Sequence, residues 1–154
     1  MQAIIDLPFS APPLSMNDRG ASRGAAFAKA KIIRDIRNHI VEQARAQCLP
    51  IMVDYVTIQL HYRPRDNRRR DSDNLTATLK PCADALTPGK PARISPRTGK
   101  PIPAQPGYGM ILDDTPEYCA KPEPIIWPAV KGQPGKLWVT LTWTPADQRT
   151  DNAA

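Results

Sequence analysis

The sequence predicts a single α+β domain, a mixed sheet of about four strands with two helices packed against it. Three observations lead there. The runs 51–63 and 137–143 alternate apolar and polar residues, the pattern of half-buried strands. The runs 25–47 and 75–86 repeat apolar residues at helical spacing. The length, 154 residues, suffices for one compact core and not for two full domains.

Residues 2–9 alternate loosely and read as a first strand ending at Pro8, after which Pro12 and Pro13 force an extended turn. Residues 14–24 are small and polar and read as loop. In the first helix Phe27, Ile33, Ile36, Ile40 and Ala44 form an apolar stripe, and Pro50 ends the segment. Lys29, Lys31, Arg34, Arg37 and Arg45 decorate the rest of that helix, interrupted by Asp35 and Glu42. A DNA-facing surface and an ordinary solvated face are both open readings. In the strand 51–63, Val56, Ile58, Leu60 and Tyr62 point one way and Tyr55, Thr57, Gln59 and His61 the other. His61 reads as an exposed or hydrogen-bonded strand residue rather than a catalyst.

Pro64 closes this strand, and the arginine-rich run Arg65–Arg70 follows. Leu75, Leu79, Cys82 and Leu86 make the stripe of the second helix, with Asp73 or Asn74 as its N-cap and Pro81 as an interior irregularity. Residues 87–109 hold six prolines and four cations, Lys90, Arg93, Arg97 and Lys100, with no acid. They predict a long, mobile, basic loop. Residues 117–130 predict an edge strand broken by Pro122, Pro124 and Pro128. Leu137, Val139, Leu141 and Trp143, alternating with Trp138, Thr140 and Thr142, predict the last strand. The domain is assigned to 1–144 and a flexible tail to 145–154.

The chain carries 21 Lys and Arg against 15 Asp and Glu, a net charge of +6. That balance favours an anionic partner, nucleic acid first, although mild basicity for solubility alone is an equal reading. Cys48, Cys82 and Cys119 are scattered, form no Cys-x-x-Cys pair and lie far in sequence from both histidines. This argues against a zinc centre and a disulfide framework and fits a reducing cytosol. No apolar run approaches the roughly 20 residues of a membrane span, and Met1–Asp6 lacks the marks of a signal peptide. A cytoplasmic protein with no membrane partner is expected.

The chemistry is concentrated in aspartates beside arginines. Asp71 and Asp73, two apart, would point the same way in an extended segment and reach one ion. Asp113 and Asp114 form a second acidic point. Brought together, such groups offer only hard oxygen ligands, which suit magnesium or manganese and through it phosphodiester hydrolysis. Arg68, Arg69 and Arg70, directly upstream, would grip flanking phosphates. Taken singly, each piece also fits a cap, a turn or a solvated surface.

The stretch RRRDSDNL, then Lys80, then Asp84-Ala85-Leu86, then ILDD, with Pro12-Pro13 and Asn17 upstream, resembles the RusA family of Holliday junction resolvases. The likeness runs from about residue 2 to 144. It implies that Asp71, Asp73 and Asp114 are metal-binding catalytic carboxylates, that Asp113 supports them, and that Lys80 neutralises a phosphate or developing charge. It implies Mg2+ as cofactor, with Mn2+ able to substitute, and a homodimer whose two sites cut opposed strands of a four-way junction. The expected activity is structure-selective cleavage of branched DNA, leaving a 5′-phosphate and a 3′-hydroxyl. A less selective nuclease and a non-catalytic DNA-binding protein are the alternatives. Asn17, Arg19 and the cations Lys90, Arg93, Arg97 and Lys100 complete the expected DNA contacts. The chain departs from the family's shorter members in a few extra residues between Asn74 and Lys80, and in the basic segment before Ile111.

Overall fold

A computed structural model describes residues 1–16 and 22–145. Asn17 and Arg19, and all but the first residue of the expected tail, lie outside the described residues. The elements in order are β1 (Gln2–Asp6), α1 (Arg23–Ala46), β2 (Val56–Arg63), a short 3-10 turn (Ser72–Leu75) and α2 (Thr76–Leu86). Then come β3 (Pro88–Lys90), β4 (Arg93–Ile94), β5 (Pro101–Ile102), β6 (Gln105–Tyr108), β7 (Cys119–Ala120), β8 (Ile125–Ile126) and β9 (Lys136–Trp143).

The main sheet is mixed, and the α+β architecture is the one predicted. β9 lies between β1 and β2 and runs antiparallel to both. β7 and β8 pair parallel with successive parts of β2 and together make one interrupted edge. Pro122 and Pro124 fall between the two pieces; a residue with no N–H to donate belongs at such an edge. The period-2 pattern of β2 is realised: Val56, Ile58, Leu60 and Tyr62 are buried, and the residues between them are half-buried. With Ile5, Leu137, Val139 and Leu141 they share one core with Ile36, Ile40 and Ala44 of α1 and Leu79, Cys82 and Leu86 of α2. The opposite edge, β1, is blunted. His39 Nε2 lies 2.6 Å from Asp6 O, and Gln47 Nε2 donates to Ile4 O at 3.0 Å. These side chains occupy outward-facing carbonyls that a further strand would need.

The structure corrects several local expectations. The strand of the 51–63 run begins only at Val56. Phe27 stands at the start of the predicted stripe yet is 74% exposed, because α1 begins at Arg23 and its first turns run beyond the core. The cap before α2 is neither Asp73 nor Asn74. Asp71 is the capping residue, accepting from Asp73 N at the head of the 3-10 turn. Pro81 sits buried inside α2 without ending it.

Residues 87–109, predicted as a loop, instead fold into two nested antiparallel ladders, β3 with β6 and β4 with β5. Two-stranded ladders have open sides, so their prolines need not donate. Arg37 of α1 donates to Pro106 O at 3.1 Å, and the Tyr108 hydroxyl donates to Leu49 O, which fastens the base of the ladder to the domain. Gly107 is required by close approach. A Cβ there would lie 2.3 Å from Thr87 O and 2.4 Å from Gly89 N, both backbone atoms that cannot swing aside. Gly107→Ala is therefore expected to destabilise the fold by about 1–3 kcal/mol, the cost typical of overpacking. A fall in the midpoint of denaturant unfolding with unchanged slope checks it; a wild-type midpoint would contradict the ladder as described.

Candidate functional site

The Asp-x-Asp segment is not extended throughout. Asp71 is extended, with φ −103° and ψ 128°, and its Oδ1 accepts from Asp73 N at 3.1 Å. The chain therefore turns at once, and Asp73 lies inside the 3-10 turn rather than two places along a strand. Both carboxylates are exposed, and that of Asp73 has no hydrogen-bond or ion-pair partner among the described residues. The Ser72 hydroxyl, between them, donates to the Glu123 carboxylate. Glu123 is in turn tied to β2, its carbonyl accepting from Gln59 Nε2 at 2.7 Å. The segment is thus held against the interrupted edge of the sheet.

Lys80, on the exposed side of α2, lies between Asp84 and Asp114. Its Nζ lies 3.3 Å from Asp84 Oδ1 and 3.3 Å from Asp114 Oδ2. Lys121 approaches Asp114 as well, with Nζ 2.7 Å from its carbonyl and 3.2 Å from Oδ2. Asp113 Oδ1 accepts from Asp114 N at 2.9 Å and fixes the turn. Arg37 stands 3.8 Å from Asp84. Charges therefore alternate in a row, Arg37, Asp84, Lys80, Asp114, Lys121. Partial burial pulls the Asp114 carboxyl upward, but the Lys121 and Lys80 ammonium groups outweigh it and hold it below the usual carboxylate range. Desolvation works against the Lys80 ammonium, and the Asp84 and Asp114 carboxylates more than compensate, so its pKa is raised.

Two hollows meet at Lys80. One is lined by Asp73, Thr76, Leu79, Lys121 and Glu123, the other by Arg37, Asp84, Lys90, Asp113 and Asp114. Asp73 borders the first, Asp113 and Asp114 border the second, and Lys80 borders both. Among the described residues no three His, Cys, Asp or Glu side chains are grouped closely enough to hold a metal ion. Asp73 and Asp114 line different hollows, and Lys80 and Lys121 both pair with Asp114.

The arginine run divides. Arg70 is turned inward, donating to Asp66 Oδ1 at 2.7 Å, Asp66 O at 2.8 Å and Arg68 O at 2.9 Å, and lies over the Tyr62 ring. It braces the loop that leads to Asp71. Arg68 and Arg69 are exposed. Lys90, Arg93, Arg97 and Lys100 are all exposed on the ladders, and Lys90 reaches the second hollow.

Sequence reasoning missed Lys121, Glu123, Ser72 and Arg37. The signal available for the first two was a charged pair set among prolines, Lys121-Pro122-Glu123-Pro124, on a predicted edge strand. Lys121→Met is expected to raise the Asp114 pKa. Asp114 is depressed in the folded state, so its favourable contribution is present above the ordinary carboxylate range and fades as pH falls through the depressed value. The variant should reduce that contribution near neutrality and leave the fold unchanged. Carboxyl carbon titration by NMR checks this; an Asp114 titration identical to wild type would show that Lys121 does not hold it.

No helix among the described residues is long and apolar enough to cross a membrane. No protein-family model matches the chain, and no curated protein matches it either.

Proposed function

We propose that the protein is a magnesium-dependent endonuclease selective for branched DNA, acting on four-way junctions as a homodimer. The observation that carries this reading is Lys80, which pairs with Asp114 and lines the same hollow as Asp73, so that it links elements far apart in sequence. The donor chemistry fits a hard cation: exposed carboxylate oxygens from Asp71 and Asp73, with Asp114 beyond Lys80, and no nitrogen or sulfur ligand among them. Asp71, Asp73 and Asp114 would hold the ion. When bound, magnesium supplies Lewis-acid activation of a phosphodiester and of water. Lys80 and Lys121 keep the Asp114 charge cancelled and present ammonium groups to an entering phosphate. Arg68 and Arg69 meet flanking phosphates, and Arg70 holds the loop that carries them.

A non-catalytic DNA-binding protein is the second reading. The pairing of Asp114 with two lysines favours it, since a carboxylate so neutralised neither repels DNA nor needs a metal. A supercoiled plasmid with an extruded inverted repeat separates the two. Paired cutting by a dimeric enzyme linearises it in magnesium. Bound but intact plasmid supports the second reading and overturns the first, and nicked circles alone would point to an unselective or unpaired nuclease.

A further inference from the structure

The two helices share one face of the sheet, and the other face carries an aromatic cluster that the proposed hydrolysis does not use. Trp138 on β9 is the cross-strand partner of His61 on β2. Their ring centroids lie 5.1 Å apart with planes 4° from parallel. Trp127, directly after β8, stacks 6.0 Å from His61 and 6.4 Å from Trp138. Hydrogen bonds fix the rings. Trp127 Nε1 can only donate, and it lies 3.1 Å from His61 Nδ1. The His61 proton is therefore on Nε2, which donates to Thr140 Oγ1 at 3.0 Å. Burial holds the imidazole pKa down, consistent with this neutral tautomer. Trp127 nevertheless remains 44% exposed.

The rim of this cluster is cationic. Arg63 and Lys136 stand directly opposite each other at the ends of β2 and β9, on the same face as His61 and Trp138. Like charges in that position repel. Asp6 takes Lys136 at 3.2 Å, and the Lys136 ammonium lies 5.7 Å from the Trp138 ring centroid, whereas Arg63 has no ion-pair partner and its buried Nε no hydrogen-bond partner among the described residues. Asn67 Oδ1 accepts from Ala129 N at 2.8 Å, which ties the arginine run to the segment bearing Trp127. Flat apolar rings beside the Arg63 guanidinium, which has no ion-pair partner among the described residues, match a strand whose bases are unstacked and whose phosphates are near, the chemistry of single-strand recognition. An apolar protein partner would leave the Arg63 charge unmatched.

We infer that Trp127, His61 and Trp138 form a stacking platform for unpaired bases of a DNA strand, with Arg63 meeting its phosphates. The inference rests on the nucleic-acid part of the proposed function and not on hydrolysis. The test is titration of the full chain with a short oligothymidylate in EDTA, read by fluorescence anisotropy of the labelled strand. Trp127→Ala should weaken binding roughly five- to hundredfold, and Trp127→Phe should restore most of it. Arg63→Gln should lower both affinity and the slope of log affinity against log salt. Unchanged affinity in both Trp127→Ala and Arg63→Gln would overturn the inference. So would a wild-type dimer in sedimentation that Trp127→Ala dissociates without changing oligothymidylate affinity, which would assign the face to a second copy of the chain. If Trp127→Ala fails to fold, the Trp127→Phe and Arg63→Gln titrations decide alone. No divalent cation and no cleavage enter the assay, so its failure and the failure of the nuclease reading remain distinguishable.

Discussion

Asp73→Asn is expected to slow magnesium-dependent cutting by at least about a hundredfold, since even residues that only support metal ligands cost up to that factor, while DNA affinity stays equal or rises. The asymmetry follows from the position of the side chain. The Asp73 carboxylate is exposed and unpartnered among the described residues, and the hydrogen bond that shapes the turn uses its backbone N–H instead. Asparagine keeps that bond and the size of the side chain, so the fold should change by less than about 0.5 kcal/mol, as at most surface positions. What disappears is one negative oxygen ligand. The same loss removes a charge that repels phosphate, so binding does not suffer. Single-turnover cleavage and junction affinity measured on the same preparation check both halves. Normal cutting by the variant would remove Asp73 from the site.

Replacing Lys90, Arg93, Arg97 and Lys100 together by serine should weaken junction binding more at moderate salt than at low salt. Each lost phosphate contact lowers the slope of log affinity against log salt by roughly one. The ladders give this prediction a physical basis that a loop would lack. β3 and β6 are fastened to α1 through Arg37 and near Leu49 through Tyr108, so the four cations project from an anchored base. Lys90 borders the hollow that holds Asp113 and Asp114. Cutting at saturating protein should stay close to wild type, because Asp71, Asp73 and Asp114 are untouched. Wild-type affinity and slope would make the ladders inert toward DNA. Collapse of cutting with affinity intact would instead give them a part in shaping the site.

The sheet and the second helix were legible because their signals are local. Val56 to Tyr62 and Leu137 to Trp143 alternate with the pleat, and Leu75, Leu79, Cys82 and Leu86 recur once per turn. Phe27 misled because periodicity records which residues share a helix face and not whether anything covers that face. The ladders at 88–108 were illegible because their pairing is non-local: Pro88 meets Tyr108 across the outer ladder, and proline content suppresses the strand signal. At the candidate site, the acids and Lys80 could be picked out by motif. Their partners could not, because Lys80 meets Asp114 across 34 residues and Ser72 meets Glu123 across 51. Arg70 shows the opposite failure. A run of cations reads as uniform surface, whereas Asp66 pairs with Arg65, Arg68 and Arg70 and draws the last of them into the loop.

The most direct measurement is cleavage of an end-labelled synthetic four-way junction beside a linear duplex of the same sequence, with magnesium and with EDTA. Symmetric cuts in opposed strands of the junction are expected in magnesium, with no cuts in EDTA and an intact duplex throughout. A junction that is bound in magnesium and never cut would contradict the proposed function.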